Sequence, residues 1–116
     1  MMTWPGGLRV YLACGVTDMR KSIDTLAVLA AEQLHQDPLS GHLFGFCNRK
    51  RDTVKLLYWD RNGFCLWHKR LERDRFHWPD SESEVRLIST RELRWLLDGL
   101  SVEQAAHGSL GYEKIC

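Results

Sequence analysis

The sequence predicts an α+β domain, an antiparallel β-meander of about four to five strands packed with one long N-terminal helix and a short C-terminal helix. Three observations predict it. Apolar residues between positions 19 and 34 recur at helical spacing. Strand-like runs separated by polar turns fill positions 42 to 72. A helix-start signature then stands at Ser89-Thr90-Arg91-Glu92. With 116 residues, 44% of them apolar and 27% charged, the chain suits one domain with a modest core. That domain is expected over residues 1–100. An irregular tail is expected over 101–116, where Gly108 and Gly111 stand and no periodicity appears.

The elements follow in order. Leu8-Arg9-Val10-Tyr11-Leu12-Ala13-Cys14 alternates loosely and reads as a strand that Gly15 ends. Thr17 is placed to cap a helix, with Asp18 in its first turn against the helix dipole. Met19, Ile23, Leu26, Ala27, Ala30 and Leu34 build one face and Lys21, Asp24, Glu32 and His35 the other, which predicts a helix over 18–35. Asp37-Pro38-Leu39-Ser40-Gly41 is a loop. His42–Asn48, Thr53–Trp59 and Phe64–Glu72 read as strands, joined by a polar turn over 48–52 and by Asp60-Arg61-Asn62-Gly63. If the second turn closes its hairpin with a bulge, Lys55, Leu57 and Trp59 share a face with Trp67 and Lys69. Val54, Leu56 and Tyr58 then line the core side. Arg75-Phe76-His77-Trp78 prolongs the meander until Pro79, an acidic connection follows over 80–84, and Val85-Arg86-Leu87-Ile88 reads as a short edge strand. The last helix carries Leu93, Leu96 and Leu97 on one face, and Gly99 stops it.

Several function classes recede. No apolar run approaches the ~20 residues that a membrane helix needs. The opening Met-Met-Thr-Trp-Pro-Gly-Gly lacks the order of a signal peptide, so the expected compartment is the cytoplasm. Cys14, Cys47, Cys65 and Cys116 form no C-x-x-C pair and, with the histidines, no zinc-ligand spacing. Reduced thiols are expected, with no metal site and no cofactor. There is no G-x-S-x-G elbow, no Gly-rich phosphate loop and no H-E-x-x-H. Asp18, Asp24, Asp52 and Asp60 come nearest to a carboxylate set for metal-assisted phosphoryl transfer. Helix-start and turn positions explain Asp18, Asp52 and Asp60 without it, so no enzyme is expected.

The net charge of +1 conceals a segregation. Residues 49–77 hold nine Lys/Arg and four acids, a block of +5. Within it, Arg49, Lys50, Arg51, Lys55, Lys69, Arg70, Arg73 and Arg75 are the candidate DNA-phosphate contacts. Aromatic residues interleave with them, as on sheet platforms that stack bases. The competing home for Trp59, Trp67 and Trp78 is the core, with cations snorkelling at its rim, and for the tryptophans that is the simpler account. Arg20 and Lys21 mark a candidate anion site at the helix start, against the plainer alternative of a surface Arg–Asp pair. Trp95, opposite the Leu93/Leu97 face, is a candidate partner contact.

Longer motifs run through the chain. They are Gly15-Val16-Thr17-Asp18-Met19-Arg20-Lys21, Asp37-Pro38-Leu39-Ser40-Gly41-His42-Leu43-Phe44, Arg51-Asp52, Lys55-Leu56-Leu57-Tyr58-Trp59-Asp60, Asn62-Gly63-Phe64, Lys69-Arg70-Leu71-Glu72 and Phe76-His77-Trp78-Pro79. Over about residues 5–100 the chain resembles the small accessory protein of insertion-sequence-66-type transposons. That protein is a TnpB-like second-reading-frame product, distinct from the RNA-guided nuclease sharing the name. The resemblance implies an accessory role in DNA transposition beside a larger transposase, and it supplies no catalytic residues. The expected function is a non-catalytic module that binds element DNA or helps assemble transposase on it. The alternative is a protein–protein adaptor to the transposase that never touches DNA, using Trp95, Val28 and the acidic C-terminal third. Element DNA and the larger transposase are the expected partners, with no membrane and no small-molecule substrate.

Overall fold

A computed structural model describes residues 7–80 and 83–99, so the tail expected over 101–116 lies outside the described residues. The elements are β1 (Arg9–Ala13), α1 (Ile23–Glu32), β2 (Leu43–Cys47), β3 (Thr53–Asp60), β4 (Gly63–Arg70), β5 (Val85–Ser89) and α2 (Thr90–Leu97). The strands form one sheet in the order β4-β3-β2-β1-β5. β1 and β2 run parallel, with Val10 opposite Leu43 and Leu12 opposite Gly45, whereas the remaining pairs are antiparallel. The sheet is therefore mixed, which corrects the antiparallel meander. The cause is the crossover: α1 carries the chain back along the sheet, so β2 must point the same way as β1.

Strand alternation divides the core into two layers. Tyr11, Ala13, Phe44, Phe46 and Leu57 meet Leu26, Ala30 and Leu34 of the α1 region. On the other face, Val10, Leu12, Leu43, Val54 and Leu56 meet Leu93, Leu96 and Leu97 of α2. Covered on both sides, β2 is buried at all five positions, so it reads as a continuous apolar run.

α1 is ten residues long, not the helix expected over 18–35. The apolar spacing identified the correct face, but the first turn is diverted. The Asp18 carboxylate accepts from the Arg20 backbone N–H at 2.9 Å, and the Lys21 N–H donates to the Asp18 carbonyl at 3.2 Å. Those bonds close a separate turn, and Thr17 N–H ties it to the Cys47 carbonyl at 2.8 Å. Ser22, not Thr17, becomes the N-cap residue. At the other end His35 adopts φ 55°, reversing the chain.

The β3–β4 hairpin also differs from expectation. Asp60 pairs directly with Gly63, leaving Arg61 and Asn62 as the turn, with Arg61 at φ 52° and no bulge. Trp67 consequently sits opposite Leu56, and Lys69 opposite Val54. Both belong to the α2 face, away from Lys55 and Trp59, because a one-residue change of register exchanges the two faces of a strand. Trp67 packs against the α2-side core, and Trp59 meets Phe64 edge-on at 5.1 Å.

Residues 71–79 do not prolong β4. They fold back so that Phe76 and Trp78 are buried in the α2-side core. Trp78 Nε1 donates to the Ala13 carbonyl at 2.8 Å. Gly45 makes room for that ring: a Cβ there would stand 2.7 Å from Leu12 Cδ2 and 3.1 Å from Trp78 Cη2. α2 opens as expected. Ser89 Oγ accepts from Glu92 N–H at 3.1 Å, Glu92 Oε1 accepts from Ser89 N–H at 3.0 Å, and Gly99 at φ 95° follows the last turn.

Candidate nucleic-acid interface

The strand pairing brings three connections to one end of the sheet. Residues 14–22 leave β1 there, 48–52 join β2 to β3, and 71–80 leave β4. Asn48 builds the middle one. Its Oδ1 accepts from the N–H groups of Asp52 and Thr53, each at 3.1 Å, and its Nδ2 donates to Asp52 Oδ1 at 2.7 Å. Thr53 Oγ1 adds a bond to the same carboxylate at 3.0 Å. The Asn48 and Thr53 bonds hold the Asp52 carboxyl below its ordinary range. With Asn48 folded inward and Arg51 at φ 60°, the turn projects Arg49 and Lys50 into solvent. Neither forms a hydrogen bond or ion pair among the described residues, although Lys50 contributes its field to Asp52.

The third connection is pinned to the second. Leu71 N–H donates to the Asp52 carbonyl and Phe76 N–H to the Arg51 carbonyl, both at 2.7 Å. Residues 72–75 are thus an excursion whose two ends rest on adjacent residues of the turn. It displays Arg73 and Arg75, both exposed, at the same end of the sheet as Arg49 and Lys50. Arg70 is exposed at the same end and reaches Glu72 at 3.3 Å.

Three of the candidate cations have interior tasks instead. The half-buried Arg51 donates to the Trp78 carbonyl and pairs with Asp80, fastening the turn to the fold-back. Lys55 Nζ donates to the Met19 carbonyl at 2.7 Å. Lys69 Nζ donates to the Leu97 carbonyl at 3.1 Å, a cation at the C-terminus of α2 where the helix dipole favours it. These tasks arise from tertiary approach and leave no mark in the sequence.

Arg20 and Lys21 do not stand at an open helix start. Arg20 grips Asp18 through Nε and a terminal nitrogen, the latter at 2.8 Å, and with its backbone N–H holds that carboxyl at about 2. Lys21 offers its carbonyl toward Lys55 Nζ at 3.5 Å. Trp95 is half-buried, with the Arg91 guanidinium 5.3 Å from its ring centre.

A cleft of about 570 Å³ separates the Val16–Arg20 segment from the turn and includes Asn48, Arg49, Lys50, Asp52 and Thr53 in its lining. It opens at the carboxyl ends of adjacent parallel strands, the place where α/β sheets commonly receive ligands. Thr17 lines it and is only 5% exposed. The sequence marked Thr17 as a helix cap, and nothing local signals a buried position facing a cleft. Asp18 and Asp52 share this lining, while Asp24 lies in the first turn of α1 and Asp60 at the far end of β3. Among the described residues no group of three or more His, Cys, Asp or Glu is placed to hold a metal ion. Cys14, Cys47 and Cys65 are free thiols, and burial raises Cys47 to about 12, which keeps it protonated. Among the described residues no helix is long and apolar enough to cross a membrane.

Comparison with known proteins adds a family to this geometry. The model of the IS66 Orf2-like protein family matches residues 8–107. The uncharacterized protein y4hO of Sinorhizobium fredii is 42% identical over 93 residues, covering 80% of this chain and 81% of that protein. Another uncharacterized protein of the same organism, y4jC, is 32% identical over 94 residues, covering 81% and 80%. No solved structure matches significantly.

Proposed function

Since the chain belongs to the IS66 Orf2-like family and is thereby an accessory protein of insertion-sequence transposition, we propose that it acts by holding element DNA at the basic end of its sheet, with no catalytic step of its own. The pinning of residues 71–76 onto the 51–52 backbone carries this reading. Two cation pairs far apart in sequence, Arg49/Lys50 and Arg73/Arg75, lie on segments joined by those bonds, and all four face solvent. Cations serving only packing are spent inward, as Arg51, Lys55 and Lys69 are. Exposed cations without a protein partner are available to phosphates.

Four phosphate contacts correspond to a salt slope of about −3.6, or roughly a hundredfold loss of affinity between ~50 and ~200 mM salt. The test is binding of the purified protein to a labelled element-end duplex and a scrambled duplex across that range. Binding with that slope supports the reading, and a preference for the element end adds sequence recognition. Absence of binding at ~50 mM salt, or binding indifferent to salt, overturns it.

The adaptor reading draws on a different observation. Val28 on α1 and Leu87 on the edge strand β5 are 50% and 55% exposed, and both side chains are available to a protein partner. Co-purification with the large transposase from nuclease-treated extract, lost on Val28→Asp with the fold intact, would favour it over DNA contact.

A further inference from the structure

We propose that the cleft between Val16–Arg20 and the 48–53 turn is a subsite for one nucleic-acid phosphate, received by the Thr17 hydroxyl and the charges of Arg49 and Lys50. The proposal rests on the DNA-holding reading and adds a point where a phosphate leaves the surface and enters the fold.

The Thr17 hydroxyl carries the inference. The residue is 95% buried, its backbone N–H is committed to Cys47, and its side chain has no hydrogen-bond partner among the described residues. Buried hydroxyls are almost always bonded. One on a residue that lines an open cleft, without a protein partner, is available as a donor to a ligand that enters. Thr53, the other buried polar residue of the lining, differs because its hydroxyl is satisfied by Asp52.

Charge selects the class of ligand. Asp18 and Asp52 also line the cleft, but Arg20 occupies the first carboxylate, and Asn48 and Thr53 bond the second. A cation would have to compete with those bonds. With Arg20 on Asp18 and Lys50 acting on Asp52, Arg49 is left over, so the charges of the lining sum to +1 and favour an anion. The volume of about 570 Å³ exceeds a bare phosphate and admits the attached sugar, which favours a nucleotide unit of a strand over the free ion.

The test uses the full chain and two probes, followed by the backbone amide resonances of Thr17 and residues 48–53. One probe is inorganic phosphate. The other is an oligonucleotide in 5′-phosphorylated and 5′-hydroxyl forms. Both probes should shift the cleft amides. Thr17→Val should weaken each by about tenfold, the loss expected for a hydrogen bond to a charged group. Thr17→Ser should restore binding. The melting temperature of Thr17→Val should not fall, because a methyl replaces an orphaned hydroxyl. A preference for the 5′-phosphorylated form assigns the subsite to a strand end, and equal binding assigns it to an internal phosphodiester.

If Thr17→Val binds oligonucleotide as well as the unaltered protein while Arg73→Ala weakens it, the subsite is wrong and the DNA-holding reading stands. If oligonucleotide does not bind but inorganic phosphate moves the cleft amides through Thr17, the DNA reading fails and the assignment to a strand fails with it. Only a site for a free phosphate compound then survives. If no cleft amide moves with phosphate up to ~50 mM, beyond the millimolar range of a weak anion site, the proposal falls whatever the variants do.

Discussion

Arg51 stands inside a basic triplet, yet the fold gives it a different task from Arg49 and Lys50, and separate replacements should divide them. Arg51→Ala removes a guanidinium that donates to the Trp78 carbonyl and to Asp80. The Arg51 side chain is 28% exposed and that of Asp80 85%, so the ion pair contributes under about 1 kcal/mol. The charge-assisted bond to the half-buried carbonyl contributes about 1.5–2 kcal/mol. Alanine inherits the φ of 60° without relief, since only glycine occupies that region at no steric cost. The expected loss is about 2 kcal/mol, or roughly 8 °C in Tm for a chain of this size. Asp80→Ala should lose less than about half of that. The double replacement Arg49→Ala with Lys50→Ala should leave Tm within ~1 °C but flatten the DNA salt slope by about 1.8 units, at ~0.9 per phosphate. Thermal unfolding followed by near-ultraviolet circular dichroism reads the first quantity, and anisotropy of a labelled duplex at several salt concentrations reads the second. An Arg51→Ala protein that keeps its Tm and loses about one unit of slope would refute the reasoning. Arg51 would then hold a phosphate, and the fastening of the turn to Trp78 would not exist.

Three further outcomes are expected. Arg20 holds the Asp18 carboxyl at about 2, below the unfolded value of about 3.9. The pair's contribution is therefore complete above the unfolded value and is lost as pH falls through about 2. A carboxyl-detected titration should move the Asp18 midpoint up in Arg20→Ala, though not fully to the ordinary range because the residue-20 backbone N–H still bonds the carboxylate, and an unmoved midpoint would exclude the side-chain pairing. Gly45→Ala places a methyl 2.7 Å from Leu12 Cδ2 and 3.1 Å from Trp78 Cη2, and should cost about 1–3 kcal/mol with a changed tryptophan near-ultraviolet signal. Lys69→Met keeps the stem but removes the ammonium from the Leu97 carbonyl, for a loss of about 0.5–1 kcal/mol in chemical denaturation. Its DNA salt slope should be unchanged, and a drop of about one unit would show that Lys69 meets a phosphate.

Local signals were the legible ones. The Ser89/Glu92 capping box and Gly99 bracket α2 because every group involved lies within a turn of its partner. β2, β3 and β4 were legible as apolar runs between polar turns, though not in their relations. The hairpin turn was recognised by composition, but its register depends on Arg61 accepting a left-handed conformation, which an arginine does not advertise. That single residue moved Trp67 and Lys69 to the opposite face. The helix expected over 18–35 had the correct apolar face, but Asp18 prefers to close its own turn. The basic block was visible as charge. Its division into outward and inward members required knowing where the carbonyls of Met19, Trp78 and Leu97 come to rest.

The position of β1 between β2 and β5 has a consequence for synthesis. β1, made before both of its neighbours in the sheet, can dock on β2 early, but its other edge waits for Val85–Ser89. At about 5–20 residues per second, several seconds pass in between. During that interval a bare strand edge and the apolar face that α2 will cover are open to wrong pairings. A product cut short ahead of β5, by a premature stop or a frameshift, would keep its basic turn. It would also carry a permanently uncovered middle strand, and aggregation or proteolysis would be its fate, with no smaller functional domain left behind.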